Sequence, residues 1–215
     1  MRLMERDLAL LHELDRWRFA LSRHLKVLCG FPSQRTCDRR IKALIDSGYI
    51  KRKHVLYGVP ALYFPSHKGK SLIGASTKPD KFKLDQIHHD IAVLEAAIYF
   101  YLKHGVPFTA ITTEKELHQR DGFGIRRHQP DFAFTVDGKV SCVEVELTPK
   151  SKERLMVNLQ DNFMTYDRQI WVVPTPQAKI RRLLAESADT FPNIEVIDFA
   201  EIEEIRKAAG GYATP

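Results

Sequence analysis

The dipeptide Asp137-Gly138 stands between two alternating runs, Phe132–Val136 and Lys139–Leu147. It is a strong signal for a two-residue type I′ turn, in which both residues take positive φ. A hairpin closed there has a fixed register: Val136 faces Lys139, Phe134 faces Ser141, Phe132 faces Val143 and Asp131 faces Glu144. One face then carries Phe132, Phe134, Val136, Val143, Val145 and Leu147, which is a core face. The other carries Asp131, Ala133, Thr135, Cys142, Glu144 and Glu146. Two carboxylates are thus placed opposite each other with β-carbons about 5 Å apart, where like charges destabilise a strand pair. A third lies two residues along. A divalent cation with oxygen ligands would offset that repulsion. Water on an open face would also do so, as would a neighbouring Arg126, Arg127 or Lys150. Ala133 and Cys142 are small, as though another layer packs above them, and a mixed sheet flanked by helices is usually covered on both faces.

The segments around the hairpin extend this reading. Residues 85–105 show helical spacing closed by Gly105, and Glu95 sits in their apolar middle. That carboxylate is a candidate catalytic acid, with a structural ion pair as the alternative. "PFTAITTEKEL" reads as a strand, followed by the Gly-rich basic loop "RDGFGIRRH". After the hairpin come a helix, a strand, a helix and a last strand, "IEVIDFA". Helices and strands in this order predict an α/β sandwich with a mixed sheet.

Charge divides the chain. Residues 1–83 hold 18 Lys/Arg against 7 Asp/Glu, a balance of +11, and the remainder carries −5. A basic first module suits a polyanionic partner. Its first helical stripe reads Leu8, Leu11 and Leu14. A second helix is expected to be capped by Ser22 and to bury Leu25 and Leu28. A third starts after Ser33, buries Cys37, Ile41, Leu44 and Ile45, and ends at a left-handed Gly48. The third helix turns Gln34, Arg35, Asp38, Arg39 and Lys42 outward, and Arg, Gln and Lys suit base edges and phosphates. Two β-type runs, Ile50–Tyr57 and Ala61–Phe64, then flank a turn. The expected organisation is residues 1–75, a linker at 76–84, residues 85–208 and a frayed tail at 209–215.

No apolar run approaches the roughly 20 residues of a membrane helix, and acids in the first residues argue against a signal peptide. Cys29, Cys37 and Cys142 show no CxxC spacing, which fits packing thiols in a reducing, cytoplasmic setting.

Three helices followed by a basic hairpin resemble a winged helix-turn-helix, most clearly in "IKALIDSGYIKRK". That resemblance implies double-stranded DNA as partner. Gln34, Arg35, Arg39 and Lys42 would enter the major groove, and Lys51, Arg52 and Lys53 would lie on the wing. Pro130-Asp131, the hairpin and "EVE" at Glu144–Glu146 resemble the restriction-endonuclease-like PD-(D/E)xK nucleases. This implies phosphodiester hydrolysis with Mg2+ or Mn2+ on Asp131, Glu144 and Glu146, and Arg126 and Arg127 on the DNA backbone. The chain departs from the motif at Glu146, where the family generally has Lys. Lys150 and Lys152 are candidates for a displaced Lys, and Glu146 for a general base. Together the two halves are similar to the replication-relaxation and mobilisation proteins of plasmids and conjugative elements. Nicking or cleavage of DNA is one expectation. A non-catalytic DNA-binding regulator that retains the nuclease fold is the alternative, and a winged-helix transcription factor with a ligand-binding second domain is a third. Partnership with other replication or mobilisation proteins, and a homodimer, are left open.

Overall fold

The computed structural model describes residues 2–55, 57–58, 60–78, 83–121, 128–148 and 150–209. It is a mixed α/β protein in two compact units, divided between Leu94 and Glu95. No helix among the described residues is long and apolar enough to cross a membrane.

The first unit contains α1 (Glu5–Arg16), α2 (Ser22–Leu28), α3 (Gln34–Asp46), β1 (Ile50–Lys53), β2 (Leu62–Pro65) and α4 (His67–Leu72), followed by the first half of α5 (Ile87–His104). In α1 the buried stripe is Asp7, Leu10, Leu11 and Leu14, while the expected Leu8 is exposed. Spacing i, i+3, i+4, i+7 holds one face of a 3.6-residue helix, and Leu8 lies one residue off that line. Ser22 is the first residue of α2 rather than its cap, which is Leu21. Ser33 caps α3 as expected, its hydroxyl accepting from the Thr36 N–H, and Gly48 takes φ +77°. Leu10, Leu11, Leu14, Leu25, Cys37, Ile41, Leu44 and Ile50 share one core. Each buried Leu or Ile there contributes on the order of 2 kcal/mol. β1 is half the length of its sequence run and β2 lies one residue beyond its own; they pair antiparallel over four residues, and Tyr63 also bridges to Ala20. Gly69 is required on steric grounds, because a Cβ there would collide with the Tyr49 carbonyl.

The second unit takes the rest of α5, then β3 (Ile111–Thr113), α6 (Glu114–Arg120), β4 (Phe132–Val136), β5 (Lys139–Val145), α7 (Lys152–Thr165), β6 (Arg168–Val173), α8 (Ala178–Ser187), β7 (Ile194–Asp198) and α9 (Phe199–Ala208). The five strands lie in sequence order. β3, β4 and β5 are antiparallel, and β5, β6 and β7 are parallel. The hairpin register is the one derived from the turn, from Phe132 opposite Val143 to Val136 opposite Lys139. Asp137 (φ 51°) and Gly138 (φ 75°) both take the positive φ of a type I′ turn.

Helices cover both faces of the sheet. Phe100 of α5 packs on Phe132 and Phe134, with ring centroids 6.1 and 5.1 Å apart. On the opposite face Leu155 and Leu159 of α7 and Ile180, Leu183 and Leu184 of α8 bury Trp171 and Val173. Trp171 is the register partner of Glu144, so this second layer lies over the acidic face. Two helices were not foreseen. The run read as a strand keeps only three strand residues before Thr113 caps α6 through a reciprocal box with Glu116, a Thr-x-x-Glu spacing that marks a helix start. The last strand likewise passes into α9, capped by Asp198.

Candidate functional site

Glu144 projects from β5 and Glu146 directly follows the last residue of that strand; they are 3% and 2% exposed, so neither carboxylate is open to bulk water. Asp131 lies half-buried just before β4, and its Oδ2 accepts the Val145 N–H at 2.7 Å. Burial raises the Glu146 carboxyl to about 7, and the charges of Glu144 and Asp131 add to the rise against the pull of Lys150. Lys150 hydrogen-bonds Glu146 from four residues on. Burial works to lower the Lys150 ammonium, but Glu144, Glu146 and Asp131 together hold it above its ordinary value. One cation therefore sits in the field of all three acids.

Two further residues complete the cluster. His128 Nε2 lies 2.6 Å from Glu144 Oε1, and Asn162 of α7 donates to the same oxygen at 3.1 Å. Neither was singled out from the sequence. A signal for Asn162 was present: Leu155, Asn158, Leu159 and Asn162 form one helical stripe, all buried. An amide on a buried stripe needs a hydrogen-bonding partner. Tyr166, at the end of α7, is pushed up to about 12 by burial and by the nearby Cys142 and Glu144.

The donor chemistry fits a hard divalent cation: three carboxylates share one face within reach of each other's charge. As they stand they meet Lys150, His128, Asn162 and a backbone amide, and no group of three or more His, Cys, Asp or Glu is arranged to hold a metal among the described residues. The other candidates fall elsewhere. Lys152 opens α7 and is exposed. Glu95 is 5% exposed and 3.4 Å from Arg206 of α9, a partner suited to a structural ion pair. Arg126 and Arg127 lie outside the described residues.

In the first unit, Arg35, Arg39 and Lys42 are exposed along α3, with Lys42 2.9 Å from Asp46. Gln34 is engaged within the unit, donating to Asp38 at 2.9 Å and to Ser22. Lys51, Arg52 and Lys53 are exposed on β1. Elsewhere in this unit Asp7 of α1, fully buried, is clasped by Arg40 of α3, whose Nε donates at 2.6 Å. Burial alone would raise Asp7. The Arg40 hydrogen bonds, the Met4 N–H and the charges of Arg40 and Arg6 outweigh it and hold the carboxyl below its ordinary range. The three cysteines are free thiols, and burial pushes Cys29 and Cys37 up to about 12.

No family model and no curated protein sequence matches the chain.

Proposed function

We propose that the protein binds double-stranded DNA through a winged helix-turn-helix in its first unit and hydrolyses a phosphodiester bond with a restriction-endonuclease-like second unit. The setting would be the replication or mobilisation of a plasmid or other mobile element. The observation that carries the catalytic half is the gathering of Asp131, Glu144, Glu146 and Lys150 at one end of the hairpin. Lys150 takes the part of the Lys absent at position 146. It balances the three acids and stands ready to stabilise charge developing on a phosphate. Glu146, with its carboxyl near neutrality, is suited to accept a proton from an attacking water. Asp131, Glu144 and Glu146 would hold Mg2+ or Mn2+, which when bound polarises the phosphoryl oxygen and acidifies a water.

The DNA-binding half rests on the charge balance of +11 over residues 1–83 and on the exposed cations of α3 and β1. Neutralising about six phosphates makes affinity fall steeply with salt. An affinity flat between low and moderate salt would refute this part.

A second reading, a DNA-binding regulator that does not cut, is favoured by one observation. Each of the three acids already has a protein partner. Incubation with supercoiled plasmid and Mg2+ or Mn2+ separates the two. Nicking by the wild type and none by Glu144→Ala supports cleavage. No cut product under either metal leaves the regulator.

A further inference from the structure

Glu144 is held from two directions. His128, in the segment leading into β4, and Asn162, two turns along the buried stripe of α7 from Leu155, both address Oε1. Oε1 has two lone pairs, and a donor on each uses the capacity of that atom. Among the described residues no hydrogen bond reaches Oε2. Asn162 is 1% exposed, so its amide has no alternative partner in water. His128 is also half-buried, and its Nε2–H is the group that can donate to a carboxylate. A side chain gripped at one oxygen by two separate elements loses its rotamer freedom and presents the other oxygen in a set direction.

We infer that Asn162, acting with His128, is a positioning residue that aims Glu144 Oε2 at the place where a divalent cation binds. This rests on the proposed metal site and adds to it the device that orients its central ligand. Neither residue touches the reacting atoms; both act through Glu144. The second layer over the sheet therefore does more than fill the core: α7 brings an amide to a carboxylate carried by β5. Partners of metal ligands typically contribute 10–100-fold to affinity without contacting the ion.

The test is Mn2+ binding to the DNA-free protein, followed by the electron paramagnetic resonance signal of the free ion, so that no cleavage is needed. Asn162→Leu keeps the bulk of the side chain on an apolar stripe and removes the donor. The expected result is a 10–100-fold weaker Mn2+ affinity with the far-ultraviolet spectrum unchanged, partial recovery in Asn162→Gln, and no binding by Glu144→Ala. If Asn162→Leu does not fold, Asn162→Ser takes its place with the same expectation. His128→Phe should weaken binding, and His128→Gln, which keeps a donor near the Nε2 position, should restore much of it. Wild-type affinity in a folded Asn162→Leu, with binding still lost in Glu144→Ala, overturns the positioning role and leaves the metal site standing. Equal binding by wild type and Glu144→Ala, or none by the wild type, overturns the site itself and this inference with it.

Discussion

Each unit buries a carboxylate beside a cation, and the two behave oppositely. Asp7 is fully buried with Arg40 and held below the ordinary carboxylate range. Glu146 is 2% exposed with Lys150 and raised to about 7. Burial raises both; the company of each decides the outcome. Asp7 has no acid pressing on it among the causes of its shift, and it receives two donors from a planar guanidinium and one from a backbone amide. Glu146 shares one ammonium with Glu144 and Asp131. A buried acid whose partner is undivided closes a core. One whose partner is divided among three acids retains the capacity to bind a proton or a cation, which is what a reactive site requires.

The contrast can be broken most severely at Arg40. Arg40→Leu strands the Asp7 charge in the core and should cost about 3–5 kcal/mol of the first unit's stability in urea unfolding. A loss under about 1 kcal/mol would show that Asp7 does not depend on its clasp. At the second pair, Lys150→Met should reduce plasmid nicking roughly 100–1,000-fold, the usual effect of losing a group that stabilises transition-state charge. Unchanged nicking would pass that role to Lys152 or remove it.

Acidity sharpens the comparison further. Glu146 releases its proton near 4.5 in the unfolded chain and near 7 in the folded one. Between those values the folded state holds more protons, so its stability declines as pH rises, by roughly 3 kcal/mol across the window. Asp7, lowered on folding, works the other way and withdraws stability only as pH falls below its unfolded value of 3.8. Thermal melts from pH 4 to 8 in chelator should show the decline in wild type and a flattened profile in Glu146→Gln. Identical profiles would mean that Glu146 ionises as an ordinary surface acid. The smallest effects belong to the exposed cations of the first unit. Lys53→Ala should shallow the salt dependence of DNA binding by about 0.9 in log–log slope. Arg35→Ala should instead cost about 1–3 kcal/mol on preferred sequences alone, if Arg35 reads a base.

The sequence carried the acidic face further than the elements around it. The Asp137-Gly138 turn left one register, and the alternation on either side then fixed which residues share a face. The cap at Ser33 and the glycine end at Gly48 were legible for the same reason, since each rests on one local steric or hydrogen-bonding demand. What depended on tertiary partners was not legible. Asp7 reads as a surface acid until Arg40, 33 residues away, meets it. His128 and Asn162 reach Glu144 from opposite ends of the motif, and the spacing between them has no local meaning. The box at Thr113 and Glu116 was local and readable, but the β-branched run before it drew the whole segment into a strand. In α1 a three-residue spacing put Leu8 inside, although the buried face follows the three-four alternation.

β5 holds the middle of the sheet, bonded to β4 on one edge and to β6 on the other. The Val145 amide is tied to Asp131 and the Glu146 amide to the Val172 carbonyl at 2.9 Å. Amides at such a position exchange with deuterated solvent only when the whole unit opens. The acids are therefore anchored to the part of the chain that yields last, and loosening at the periphery would leave them assembled.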